Sequence, residues 1–108
     1  MIVIGITGDI GSGKSFVSKL FQSPVFNADI EVNKIYRKNK ICYKKIKKKL
    51  PKHIKSFPID KAELSKAILS KNSNLKKIVS VVHPVVRKEM NMFLKKNIKK
   101  KLVVLDVP

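Results

Sequence analysis

The sequence predicts an α/β fold built on a parallel sheet, and three observations predict it. A continuous, largely β-branched run, Met1-Ile2-Val3-Ile4-Gly5-Ile6, opens the chain and reads as a strand buried on both faces. All four glycines, Gly5, Gly8, Gly11 and Gly13, crowd into one short stretch and none follows, so backbone freedom is concentrated in a single loop. A second apolar run, Leu102-Val103-Val104-Leu105, closes on Asp106 after a long interval of helical periodicity. Strands separated by helices imply parallel pairing through right-handed crossovers.

Taken in order, the opening strand leads into the glycine loop, and Phe16, Val17, Leu20 and Phe21 then recur at helical spacing up to Pro24. Val25 and Phe26 form a short second strand, with Asn27-Ala28-Asp29 where it ends. Residues 30–50 carry Ile30, Ile35, Ile41, Ile46 and Leu50 among many lysines, which predicts two amphipathic helices broken near Asn39 and stopped before Pro51. After a loop over 51–58, Asp60-Lys61-Ala62-Glu63 has the spacing of a capping box, opening a helix that buries Leu64, Ala67 and Ile68. Asn72 or Ser73 starts another, with Leu75, Ile78, Val79 and Val82 inward. His83-Pro84 is expected to end it and begin a new one, because proline disfavours helical geometry at the preceding residue. The new helix places Val85, Val86, Met90 and Phe93 on one face and runs into the lysine tract over 95–101. No repeat or linker divides the chain, so residues 1–108 read as a single domain. Three strands leave the sheet edge unfinished, and the sequence is expected to be part of a longer fold.

Composition narrows the function. The 108 residues carry 25 Lys and Arg against 7 Asp and Glu, a formal net charge of +18, with 44% hydrophobic residues. That is too apolar for a disordered polycation, and no apolar run approaches the ~18 residues needed to span a bilayer. A single cysteine, Cys42, rules out an internal disulfide, and with only two histidines it rules out a Cys/His zinc cluster. Cys42 itself reads as a small buried apolar residue rather than a nucleophile. A reducing, cytoplasmic setting fits, and the N-terminus has no basic segment followed by a cleavage site. A pI of about 10.3 suits a phosphate-backbone binder. However, only Arg37 and Arg87 are arginine, the residue favoured for base readout and stacking, so the charge reads first as solvated lysine faces.

Gly8-Asp9-Ile10-Gly11-Ser12-Gly13-Lys14-Ser15 matches G-x-x-x-x-G-K-S/T, with a strand before it and a helix after it. A chance match in this composition is roughly 0.3%. The glycines let backbone N–H groups turn inward around an anion, and the helix start adds its positive end. Lys14 would reach the β- and γ-phosphates of ATP and Ser15 would hold Mg²⁺. The fold class is therefore an α/β, P-loop NTPase-type three-layer fold. Asp106, at the end of an apolar strand, either positions Mg²⁺ through its water shell or is an ordinary strand-end acid. No Glu follows it to activate water, which favours transfer to a bound acceptor over hydrolysis. Asp29 stands at the carboxyl end of a parallel strand, where open α/β sheets keep their ligands. It can take the proton of an attacking hydroxyl or simply cap the helix that follows, and spacing leaves both open.

These residues resemble the dephospho-coenzyme A kinases, which transfer the ATP γ-phosphate to the 3′-hydroxyl of dephospho-CoA. The resemblance runs over the whole chain: Ile4-Gly5-Ile6-Thr7-Gly8 leading into the loop, Asn27-Ala28-Asp29, His83-Pro84 followed by Val85-Val86-Arg87-Lys88-Glu89-Met90, and Val104-Leu105-Asp106-Val107-Pro108. It implies that Asp29 is the general base, that His83 and Arg87 belong to the acceptor site, and that residues 30–95 form a helical CoA-binding insertion. It also implies further parts beyond Asp106-Val107-Pro108, namely a lid with arginines and a base-binding segment. The chain departs from the family at Asp9, usually Gly, and at Asn27, usually Asp. Two other readings remain: a different small-molecule P-loop kinase of the nucleoside type, and a nucleic-acid-binding NTPase motivated by the charge.

Overall fold

A computed structural model describes residues 1–6 and 23–107. The elements are β1 (Ile2–Ile6), β2 (Val25–Asn27), α1 (Ala28–Lys38), α2 (Lys40–Lys49), α3 (Lys61–Ser70), α4 (Asn72–Lys96) and β3 (Leu102–Asp106). The glycine loop over 8–15 and the helix expected over 16–21 lie outside the described residues. The fold is α/β with a parallel sheet, as the sequence predicts.

The last strand lies in the middle of the sheet, in the order β1-β3-β2. Both pairings are parallel, with Ile2 to Ile6 opposite Leu102 to Asp106, and Val25, Phe26 and Asn27 opposite Val104, Leu105 and Asp106. The centre of the sheet is where burial is complete: Val103 is 0% and Val104 1% exposed. The expectation that β1 is buried on both faces is not met. Ile2 is 65% and Val3 46% exposed, because β1 is an edge strand pairing with β3 alone among the described residues.

The chain divides into two compact units. One comprises Met1–Glu31 and Arg87–Pro108 and contains the sheet. Phe26 and Ala28 are buried in it with Val103 and Val104, and the Phe26 and Phe93 rings meet with centroids 5.6 Å apart. The other, Val32–Val86, is helical. Its core joins Ile35, Cys42, Ile46, Leu50, Ile54, Ile59, Leu64, Ala67, Ile78, Val81 and Val82.

Local chemistry explains the helix ends in this unit. Asn39 separates α1 from α2, and its Oδ1 accepts from the Cys42 N–H at 2.9 Å, satisfying a donor the first turn leaves without a partner. Lys47, Lys48 and Lys49 fill the last turn of α2, where positive charge suits the helix dipole. Asp60 caps α3 by accepting from Ala62 N–H at 2.8 Å. The expected capping box is only half formed. Glu63 turns instead to the preceding loop, accepting from Ser56 Oγ at 2.9 Å and the Lys55 N–H at 3.4 Å. Among the described residues the one buried polar side chain, Asn74, donates to the Ala67 carbonyl at 2.7 Å and so satisfies an acceptor in the last turn of α3.

Two expectations for α4 are corrected. Pro84 does not start a new helix, since one helix of 25 residues runs through it. Proline costs about 3 kcal/mol inside a helix. Val81 and Val82 before it are buried and Val85 and Val86 after it pack on the same core, and burial of such side chains is worth about 1.5–3 kcal/mol each. The inward residues also differ. Ile78 and Val82 are buried as expected, but Leu75 and Val79 are about half exposed and Val81 takes an inward place.

Candidate functional site

The parallel register places Ile6, Asn27 and Asp106 level at the carboxyl edge of the sheet. Ligands of open parallel sheets sit outside this edge. The glycine motif begins two residues after Ile6 in sequence. Its members Gly8, Asp9, Ile10, Gly11, Ser12, Gly13, Lys14 and Ser15 lie outside the described residues.

Asp106 is half-buried at the end of β3, and its Oδ2 accepts from Asn27 Nδ2 at 3.2 Å. The other end of the same amide, Oδ1, accepts the Ile30 N–H at 3.2 Å, three residues on, which is the geometry of a helix cap. Asn27 therefore holds the start of α1. Asp29 lies inside the first turn with an exposed side chain, where a negative charge also suits the positive helix end. His83 and Arg87 are exposed on α4, four residues and one helical turn apart, so they share a helix face.

Among the described residues no three His, Cys, Asp or Glu side chains gather in a way that could hold a metal ion. Asp106, one carboxylate beside a neutral amide, fits Mg²⁺ as it is bound in phosphate sites, where one or two protein oxygens are completed by waters and phosphates. Cys42 is 2% exposed, and burial pushes its thiol up from the ordinary value, a shift that Lys45 only partly opposes. The residue that sequence reasoning underrated is Asn27. Its signal was present, an Asn at a strand end three residues before a helix donor, but its bond to Asp106 depends on strand order.

Comparison with known proteins identifies the family. A family model described as dephospho-CoA kinase matches residues 2–108. The chain belongs to the dephospho-CoA kinase family. Among the most similar relatives, the dephospho-CoA kinase of Wolbachia sp. subsp. Brugia malayi (strain TRS) is 41% identical over 112 residues, covering 99% of this chain and 57% of the relative. That of Zymomonas mobilis is 34% identical over 111 residues, covering 100% and 56%. The crystal structure of TT1252 from Thermus thermophilus superposes with a TM-score of 0.77 at 34% identity, over 99% of this chain and 56% of that one. The chain thus spans a little over half the length of the dephospho-CoA kinases it matches.

Proposed function

We propose that the chain forms the nucleotide-loop and acceptor-binding part of an ATP-dependent kinase that phosphorylates the 3′-hydroxyl of dephospho-CoA. The observation that carries this reading is the level placement of Asn27 and Asp106 at the carboxyl edge, with Asp29 two residues on and the phosphate motif following the adjacent strand. ATP would be bound by the motif over residues 8–15, whose Lys14 is of the type that serves the β- and γ-phosphates. Ser15 and Asp106 would hold Mg²⁺, and the ion would supply neutralisation of the phosphate charge. Asp29 accepts the proton of the acceptor hydroxyl as its oxygen attacks the γ-phosphorus and the bond to the β–γ bridging oxygen of ATP breaks, leaving ADP. Rate comes mainly from positioning and charge.

His83 and Arg87 serve the acceptor within the helical region over 30–95. The unit Val32–Val86 carries 16 Lys and Arg, and subtracting its two acids, Asp60 and Glu63, leaves +14 of the total charge. Such a surface raises the local concentration of an anionic acceptor bearing phosphates. No described helix is long and apolar enough to cross a membrane, and the proposed setting is the cytoplasm. ADP release in a coupled assay tests the reading, with dephospho-CoA, nucleosides and duplex nucleic acid offered in turn. Turnover dependent on dephospho-CoA supports it. Turnover with a nucleoside, or hydrolysis stimulated by the duplex with a steep salt dependence, would replace it.

A further inference from the structure

We infer that Asn27 is a positioning residue, its one amide fixing both the helix that carries Asp29 and the carboxylate of Asp106. The inference rests on the proposed reading of Asp106 as a Mg²⁺ carboxylate. Its geometric basis stands apart from that reading: an amide whose oxygen takes a helix N–H and whose nitrogen donates to a carboxylate, both at 3.2 Å. The amide orientation is dictated chemically. A flip would set its oxygen against the Asp106 carboxylate and its NH₂ against the Ile30 N–H, opposing like groups at both ends.

Few residues can do both things. Asp, Ser and Thr cap helices as well as Asn does. An aspartate at this position has no proton to donate to Asp106 and would oppose it with a second negative charge. A serine hydroxyl sits one bond nearer the main chain and must serve both partners from a single atom. Asn27 can reach Asp106 because parallel pairing sets the two residues directly opposite, on strands separated by about 4.8 Å. A hydrogen-bonded carboxylate is held in one orientation without being neutralised. Outer partners of this kind are typically worth 10–100-fold in metal affinity. Among the described residues, Asp106 thus carries its charge at this edge beside a neutral neighbour that orients it.

Two variants separate positioning from fold support. Asn27→Ser keeps an acceptor for the helix cap and loses the bond to Asp106, whereas Asn27→Ala loses both. Mn²⁺ serves as the spectroscopic probe, followed by electron paramagnetic resonance with ATP present. Both variants should bind Mn²⁺·ATP at least about 10-fold more weakly than wild type. Metal-free ATP should bind all three equally, and only Asn27→Ala should melt at a clearly lower temperature. Without any ligand, the side-chain amide signal of Asn27 in the ¹H–¹⁵N spectrum should move in Asp106→Ala. An amide signal indifferent to Asp106, or Asn27→Ser binding Mn²⁺·ATP as tightly as wild type, overturns the inference. A wild-type chain that binds no Mn²⁺·ATP overturns the kinase reading and with it the metal half of the inference, while the amide signal still decides the contact.

Discussion

Helix α2 offers a paired test in which one chemical change is made on its two faces. Ile46 is 0% exposed in the core of the helical unit, and Ile41, five residues earlier, is 68% exposed among lysines. Truncating either to alanine removes three carbons. At Ile46 the lost transfer free energy is about 0.8 kcal/mol per carbon, or about 2.4 kcal/mol. A cavity that the neighbouring Cys42, Leu50 and Ile54 cannot fully fill raises the cost to about 3–4 kcal/mol, within the range measured for such deletions. For a domain near 100 residues each kcal/mol lowers Tm by about 4–8 °C, so Ile46→Ala should melt at least about 12 °C below wild type. At Ile41 no cavity forms, and alanine is the better helix former by a few tenths of a kcal/mol. The expected change there is within about 0.5 kcal/mol, of either sign. Thermal and urea unfolding followed by circular dichroism measures both. Equal losses at the two positions, or a larger loss at Ile41, would mean that α2 packs through a different face and that the core assignment is wrong.

Asp29→Asn should lower kcat by about 10²-fold or more with little change in the KM for ATP, since base assistance acts in the transition state. Steady-state kinetics with dephospho-CoA decides, and a kcat within a few-fold of wild type would leave Asp29 only a charge at a helix start. Lys14→Ala should abolish Mg-ATP binding in isothermal titration, and equal affinities would mean the glycine motif is no phosphate cradle. Cys42, buried and with its thiol pushed up, should resist alkylation at neutral pH until denaturant is added. Burial raises both the Cys42 thiol and the Tyr36 phenol, so the folded state holds these protons more tightly than the unfolded chain. Their contribution is fully present below the ordinary values of 9.0 and 10.0 and is lost as pH rises above them. Urea midpoints should therefore fall above about pH 9 and fall less in Cys42→Ala, and a flat profile would contradict the burial of these groups.

Local chemistry was readable because its causes act over a few residues. The apolar runs at Ile2–Ile6 and Leu102–Asp106, the break at Asn39, the Asp60 cap and the stop before Pro51 each follow from backbone preferences and near neighbours. The phosphate motif is read in the same local way, from glycines and Lys14 at fixed spacing, and lies outside the described residues. Where tertiary packing competes with local preference, the sequence misleads. Pro84 breaks a helix by its own chemistry, yet valines on both sides of it find one core and the helix continues. Leu75 and Val79 fit the apolar period as well as Val81 does, and only the position of the neighbouring elements selects Val81 for burial.

The same division separates the site's residue types from its geometry. Asp29, Asp106 and Asn27 can be named from strand ends and the family pattern, but nothing local states which strands are neighbours. Strand β3 enters between β1 and β2, where it gains hydrogen bonds on both edges and its valines are buried on both faces. That long-range choice sets Asn27 opposite Asp106 across 79 residues of chain and turns two separate strand-end residues into one bonded pair.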